Sequence, residues 1–350
     1  MYKVTIYQDK IMPYRVEIFN ALSKQVDLTV VYSEEGLPDG IEFKIEKTSK
    51  RKIRGYTFLG KEFKKHQKES DAVILPMTPG IVDSRLKLKS KKHIFWGIGV
   101  PAAYNCRFDS LGDNDALAKM SKKANCCLYY SPYPLEKYKR LGFNTEKMFV
   151  ANNTVAIPKI ELHKEKNSIL FVGSLYPQKK IDELLMAYNE VHKKNANLPD
   201  LTVIGNGSMY EWCKNFCEEN GLSEKVKLVG EIHDESILKE YFADALMCVS
   251  PDQAGLSVLK SMGYGVPYVT HKNAITGGEI FNITDDENGV LYDSFDELVS
   301  IIEEASENKQ KYLEFGDKAY EYYWNNRTPE IMVKGFVDAV KFVCEGKKNG

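Results

Sequence analysis

The sequence predicts an α/β protein of two domains, each a parallel sheet covered by helices on both faces. Three observations carry this. Short apolar runs alternate with stretches of helical period over residues 3–151, and the alternation restarts at residue 169. Between the two series, residues 152–167 hold Pro158, a charged run and no clear period, the composition of a linker. A length of 350 residues is more than one ordinary core serves and suits two. Repeated strand–helix units imply parallel strands, and two series of them imply two Rossmann-like domains.

In the first series the strand-like runs are residues 3–7, 27–32, 72–75, 93–96, 126–130 and 148–151, with helical patterns such as 14–23 and 115–123 between them. The run YKVTIYQ is strand-like from the outset, so no signal peptide is expected. In the second series the strands are 169–172, 201–204, 226–229, 245–249, 268–270 and 290–292. The helices fall near 180–193, 208–220, 234–242, 256–263 and 295–305. Residues 308–343 read as helix, broken near 325–329 by Asn325, Asn326 and Pro329.

Hydrophobic content of 43% with 28% charged residues is that of a globular protein, and no apolar run approaches the roughly 20 residues of a membrane span. The seven cysteines are odd in number and contain no C-x-x-C pair; Cys126 and Cys127 sit in an apolar run. They are expected as buried free thiols in a reducing cytoplasm, not as a disulfide framework or zinc site. The net charge of −1 conceals an asymmetry. Residues 1–150 hold 27 Lys and Arg against 17 Asp and Glu, whereas the remainder holds 21 against 32. The excess lies in residues 44–68, interleaved with Tyr56, Phe58 and Phe63, and in residues 85–92. Basic residues mixed with aromatics suit an anionic membrane surface, at roughly 1 kcal/mol per basic residue near the headgroups. Nucleic acid is not expected, because no nucleic-acid-binding motif accompanies the charge.

The stretch VSPDQAGLSVLKSMGYGVP, residues 249–267, joins several signals. It leaves an apolar run at 245–249 through the turn residues Ser250, Pro251 and Asp252. Gly255 then opens a helical pattern of Leu256, Leu259 and Met262, ended by Gly263, Gly265 and Pro267. A loop entering a helix at the carboxyl end of a strand is where open α/β sheets bind ligands, and its N–H groups favour an anion such as a nucleotide phosphate. Other strand ends carry related features. Gly173 precedes a loop with Pro177 and then Lys179 and Lys180, ammonium groups placed where a diphosphate would rest. Gly205 and Gly207 follow a strand directly, but Tyr210 replaces the third Gly of a dinucleotide fingerprint. Gly230, Glu231 and Ile232 end another strand, suited to edging a nucleotide base. Gly277 and Gly278 offer paired N–H groups as an anion nest. Asp285, Asp286 and Glu287 precede Asn288-Gly289 and read as a solvated turn; no metal site is expected.

In order and spacing, these elements resemble the glycosyltransferase family 4 group, retaining enzymes of the two-domain GT-B architecture. The family pattern runs FVG-basic-L-x-x-x-K-G, then VGxG, then a Glu-x7-Glu segment ending EAM-x-x-G-x-P. This chain has FVGSLYPQKK, VIGNG and DQAGLSVLKSMGYGVP. KIMPYRVEIFNAL resembles the PYR-x-x-x-F-x-x-L opening of polysaccharide-assembly members, and YYSPYPLEKYKRLGFNTEKMFVANNTV the close of the family's first domain. The resemblance implies two Rossmann-like domains facing a cleft: an acceptor-binding domain over 1–155, a donor-binding domain over 165–325, and a helix over 326–350 returning to the first.

The resemblance also implies roles. Lys179 would neutralise the donor diphosphate, and Asp252 would stand near the donor sugar's hydroxyls; these two are the catalytic candidates. Gly173, Ser174, Gly205, Gly207, Glu231, Ile232, Gly255, Leu256, Ser257 and Lys260 would complete the donor site. Tyr14, Arg15, Gly97, Gly99, Gly277 and Gly278 would lie on the acceptor side. Three positions depart from the pattern. Ser174 replaces a basic residue, Ile98 stands where some relatives carry His, and Lys260 replaces the Glu that binds ribose hydroxyls. Lys260 would restore the cation lost at Ser174 if its stem reached the phosphate.

The expected activity is transfer of a hexose from a UDP- or GDP-linked donor to a glycan or lipid-linked acceptor. Retention at the anomeric carbon, no metal and no other cofactor are expected with it. The setting would be surface polysaccharide or glycolipid synthesis, lipopolysaccharide or capsule included, by a cytoplasmic protein peripheral on the inner face of the plasma membrane. A catalytically silent GT-B assembly partner and a sugar-nucleotide epimerase are the alternatives. His271, beside a strand end, is the one histidine placed for the latter.

Overall fold

The computed structural model describes residues 1–101, 115–162, 165–195 and 197–346. The described chain divides into two compact units, one of residues 1–101, 115–156 and 327–346, the other of the described residues between Ile157 and Asn326.

The strands of the first unit are β1 (Lys3–Gln8), β2 (Asp27–Tyr32), β3 (Lys44–Lys47), β4 (Lys50–Ile53), β5 (Tyr56–Leu59), β6 (Ala72–Pro76), β7 (His93–Gly97), β8 (Cys127–Tyr129) and β9 (Met148–Val150). Among the described residues seven form one parallel sheet in the order β3-β2-β1-β6-β7-β8-β9. The chain starts mid-sheet, runs to one edge, then crosses back to build the other half. Successive residues feed opposite faces, as a strand's period of two requires. Val4, Ile6, Val30, Ile74, Ile94 and Trp96 enter one core, whereas Tyr7, Val31, Val73, Leu75 and Phe95 enter the other. Burial on both faces is why these strands read as nearly continuous apolar runs.

The covering helices are α1 (Pro13–Ser23), α2 (Lys61–Glu69), α3 (Val82–Leu86), α4 (Ala116–Lys123) and α5 (Tyr133–Arg140). Pro13 opens α1 where its missing N–H costs nothing, and the Asp115 carboxylate caps α4 by accepting from the Leu117 and Ala118 amides.

Residues 44–59, legible in sequence only as a basic cluster, form edge strand β3 and the antiparallel hairpin β4–β5. Arg54 and Gly55 make its two-residue turn, both with positive φ (47° and 84°), the geometry that matches strand twist. The hairpin escaped a reading based on apolar alternation because Leu59 is its one buried residue.

His93, at the start of β7, is 2% exposed, with Gln67 Nε2 at 3.1 Å from one ring nitrogen and Ser90 Oγ at 2.7 Å from the other. Burial, assisted by Lys92 and Lys87, pushes its pKa from 6.5 down to about 4. The unfolded chain therefore takes up this proton first. The stability this histidine secures is present above pH 6.5 and is lost as pH falls toward 4, about 3 kcal/mol across the window. Urea unfolding between pH 4 and 7 is expected to show a shallower acid loss in His93→Gln than in the native chain; equal slopes would refute the assignment.

The second unit contains β10 (Ser168–Val172), β11 (Asp200–Ile204), β12 (Val226–Gly230), β13 (Ala245–Val249), β14 (Gln253–Ala254), β15 (Tyr268–His271), β16 (Ile275–Thr276) and β17 (Gly289–Tyr292). Its main sheet is parallel in the order β12-β11-β10-β13-β15-β17, and β14 pairs with β16. Its helices are α6 (Ile181–Lys194), α7 (Tyr210–Glu219), α8 (Glu235–Asp244), α9 (Ser257–Gly263), α10 (Phe295–Glu307) and α11 (Lys309–Asn326). The helical tail breaks at residues 327–328. Pro329 then opens α12 (Pro329–Glu345), which joins the first unit's core through Met332, Phe336 and Val340. Phe336 meets Trp96 edge-on at 4.8 Å.

The described residues of 152–167 lack regular structure, yet they are anchored. Lys166 is 5% exposed and donates to the Gly265 carbonyl at 2.5 Å; burial lowers its pKa to about 8. Six cysteines are buried free thiols, and the seventh, Cys106, lies outside the described residues. No described helix is long and apolar enough to cross a membrane.

Candidate functional site

Both sheets begin mid-sheet, so each has a point where successive connections leave in opposite directions. At that point the strand-end loops splay apart and leave a crevice. In the second unit it lies between β10 and β13, and the loops flanking it are residues 173–180 and 250–256.

The first loop is held by close backbone packing. The Gly173 amide donates to the Ile204 carbonyl at 3.0 Å, and the Leu175 amide to Asn206 at 2.9 Å. A Cβ on Gly205 (φ 156°) would stand 1.9 Å from the Gly173 oxygen, and one on Gly207 (φ 157°) 2.5 Å from the Leu175 oxygen. These two glycines thus act by letting two strand-end loops touch. Lys179 is half-buried, its ammonium 3.4 Å from where a Gly173 Cβ would project. Burial holds its pKa below the ordinary lysine range, and among the described residues no acceptor or carboxylate pairs with it. An unpartnered, partly desolvated cation is poised for an anion. Ser174 is exposed beside it.

Lys180 adopts the left-handed conformation (φ 49°) at the position where the family pattern has Gly, and pairs with Glu183 at 3.3 Å. Across the crevice Asp252 follows β13. Burial raises its carboxyl above the usual range, opposed by the nearby charges of Lys180 and His271. The backbone N–H groups of Leu256 and Ser257, opening α9, have no acceptor among the described residues, as expected of a helix start. Gly255 is open on its side-chain face. The Ser257 hydroxyl lies 2.7 Å from that of Tyr268, which donates to the Gln253 carbonyl.

Several expectations need correction. Lys260 is not a free cation for a diphosphate: its ammonium lies 2.5 Å from Glu235 Oε2, and Tyr264 donates to Oε1 of the same carboxylate at 2.6 Å. Position 260 thus carries a cation neutralised by a carboxylate from α8. Sequence spacing gave no sign of this partner, 25 residues away. Gly277 and Gly278 are not an open anion nest either. Their N–H groups donate to the buried Glu279 carboxylate (3.0 Å) and to the Thr276 hydroxyl (3.0 Å). Arg15 is 3% exposed, its guanidinium 4.7 Å from the Trp96 ring, 5.0 Å from Tyr14 and 5.3 Å from Tyr130. It fills an aromatic cage in the first core and does not present its charge to a ligand.

Gly97 and Gly99 end β7 for packing reasons as well. A Gly97 Cβ would press on Met77 at 3.3 Å, and Gly99 (φ 81°) lies under the Tyr129 ring. Tyr14 remains 37% exposed. Glu231 and Ile232 follow β12, where Glu231 is exposed and pairs with His233 at 3.3 Å. A cavity of about 450 Å³ opens elsewhere, beside β17, lined by Asp285, Asp286, Glu297 and Glu304 among others. Its carboxylates disfavour a diphosphate, and Lys311 there already pairs with Glu304 at 2.9 Å.

Two Rossmann-like units, the second with a cation and unpaired amides at its switch point, define a GT-B fold. HepE of Anabaena, solved with UDP, superposes with a TM-score of 0.72 at 14% identity, over 97% of this chain and 100% of that one. WaaG, a glycosyltransferase involved in lipopolysaccharide biosynthesis, superposes at 0.63 with 14% identity, over 97% and 99%. Residues 153–322 match the family model of glycosyl transferases group 1. An uncharacterized glycosyltransferase of Haemophilus influenzae is 29% identical over 175 residues, 49% of this chain and 48% of its own. The chain thus spans no more than about half the length of the curated relatives it matches.

Proposed function

We propose that the protein is a glycosyltransferase that moves a hexose from a UDP- or GDP-linked donor to a glycan or lipid-linked acceptor, with retention at the anomeric carbon. The observation that carries this reading is the half-buried, unpartnered Lys179 on a glycine-packed loop at the second unit's switch point. In transfer, negative charge builds on the departing diphosphate. Lys179 and the amides of Leu256 and Ser257 supply fixed positive potential there, without the reorganisation that water would need. Asp252 accepts hydrogen bonds from the donor sugar's hydroxyls and holds its anomeric carbon in place. The reading assigns this charge stabilisation to protein groups, so turnover should survive a chelator. The first unit takes the acceptor at an anionic membrane surface, in surface polysaccharide or glycolipid synthesis.

The test is a thermal-shift series with UDP, GDP and their sugar conjugates, followed by transfer assays that read the anomeric configuration of the product. A nucleotide at a hundredfold its dissociation constant adds about 2.7 kcal/mol to the unit that binds it. Stabilisation by one nucleotide, with the additional stabilisation by its sugar conjugate lost in Asp252→Ala, supports the reading. Absence of any nucleotide effect sinks it. The Lys260–Glu235 pair, at a position where the family pattern has a lone Glu, favours one competing reading, a protein that binds without transferring. That reading predicts stabilisation by nucleotide with neither transfer nor donor hydrolysis.

A further inference from the structure

The β4–β5 hairpin has two unlike faces. Directly opposed residues of an antiparallel pair share a face, so Lys50, Leu59, Lys52 and Thr57 lie on one, and Arg51, Phe58, Ile53 and Tyr56 on the other. The first faces the protein: Leu59 is buried, and Lys50 reaches Asp9 at 2.9 Å and Glu34 at 2.6 Å. The second faces solvent, with Ile53 41%, Tyr56 41% and Phe58 43% exposed. Leu86, on the neighbouring α3, is 75% exposed, and the Arg85 guanidinium stacks 5.1 Å from the Tyr56 ring. Apolar side chains left exposed side by side on a small edge hairpin form the kind of patch that marks an interaction surface.

The charges narrow the choice. Lysines at the base of the cluster are neutralised: Lys44 by Asp27, Lys47 by Glu35 and Lys64 by Asp83. The side chains of Arg51, Lys52 and Arg54, in the hairpin itself, have no ion pair or hydrogen bond among the described residues. Unneutralised cations thus surround aliphatic and aromatic side chains on a projecting two-residue turn. A single-stranded nucleic acid would need open aromatic faces along a groove. Here Arg85 already occupies the Tyr56 face, and beside the aliphatic Ile53 and Leu86 the remaining exposed aromatic of the patch is Phe58, so no row of open rings is presented.

We propose that this hairpin is an interfacial anchor for an anionic lipid bilayer. Ile53, Tyr56, Phe58 and Leu86 enter the headgroup–acyl boundary, while Arg51, Arg54 and Arg85 pair with lipid phosphates. This deepens the membrane-surface part of the proposed function by naming the element that makes the contact.

The experiment is flotation of the full chain with vesicles of phosphatidylcholine alone and of phosphatidylcholine mixed with phosphatidylglycerol. Binding is expected to the mixed vesicles and to weaken with salt. It should fall at least roughly tenfold in Ile53→Ser/Phe58→Ser and in Arg51→Gln/Arg54→Gln, because each pair removes one of the two attractions. All four positions are exposed, so melting temperature and nucleotide-induced stabilisation should match the native chain. This separates failure of the anchor from failure of the nucleotide site. The proposal is overturned if the native chain ignores anionic vesicles at low salt, or if both double variants bind as it does. It is equally overturned if the hairpin variants change only self-association or RNA binding.

Discussion

Gly205→Ala is expected to cost about 3 kcal/mol of stability and to abolish nucleotide-induced stabilisation. The added carbon would lie 1.9 Å from the Gly173 oxygen and 2.9 Å from its carbonyl carbon. Both are backbone atoms, so no rotamer change relieves the clash. A φ of 156° adds strain that an L side chain rarely tolerates. Relief requires β10 and β11 to separate at their carboxyl ends. That breaks the Gly173–Ile204 hydrogen bond, at 3.0 Å, and moves the loop carrying Lys179. Gly221→Ala is the control: its φ is also positive, at 70°, but its side-chain position is open, so about 1 kcal/mol is expected. Urea unfolding and UDP thermal shifts on both variants decide the matter. A Gly205→Ala protein as stable as the native one would remove the packing role assigned to this glycine.

Lys179→Met is expected to move stability and activity in opposite directions. The free protein should be no less stable than the native chain and up to about 1 kcal/mol more so, because an unpaired, partly desolvated ammonium is replaced by an apolar group of similar length. Turnover should fall by about 10²–10³-fold, the usual cost of removing one preorganised charge at a developing anion. The pH dependence follows from the lowered pKa. Between the folded value and 10.5, the unfolded chain binds more protons at this site, so native stability rises with pH through that window. Lys166 contributes in the same direction above about pH 8, so the difference between native and Lys179→Met curves isolates Lys179. Unchanged turnover, or a marked loss of stability in the free protein, would count against an anion-binding role.

Much of the architecture was legible because parallel strands buried on two faces announce themselves as apolar runs. Lys3–Gln8 and Ala245–Val249 are such cases. The hairpin was not, since its strands are held at one edge and mostly face solvent. At the candidate site, the strand-end placement of Gly173, Gly205, Lys179 and Asp252 was legible because strand-end glycines and charges sit at fixed offsets from apolar runs. What spacing could not reveal was occupancy. The amides of Gly277 and Gly278 are occupied by Glu279 and Thr276, the Lys260 ammonium by Glu235, and the Arg15 guanidinium by aromatic rings. The partners of Lys260 and most of those of Arg15 are brought in by tertiary packing, whereas Gly277 and Gly278 are closed by side chains two residues away whose direction spacing does not give.

The placement of α12 has a consequence for the order in which the chain is made. The first unit's core includes Met332, Phe336, Val340 and Val343, and the Tyr2 hydroxyl donates to Glu345 at 3.1 Å. Topologically the second unit is an insertion between residues 156 and 327 of the first. During synthesis the second unit has all its core residues once Asn326 has emerged, while the first still lacks one side of its own. The unit translated first is therefore the last to close, and its sheet, already complete in strands but not yet covered by α12, must stay unaggregated for more than a hundred residues of elongation.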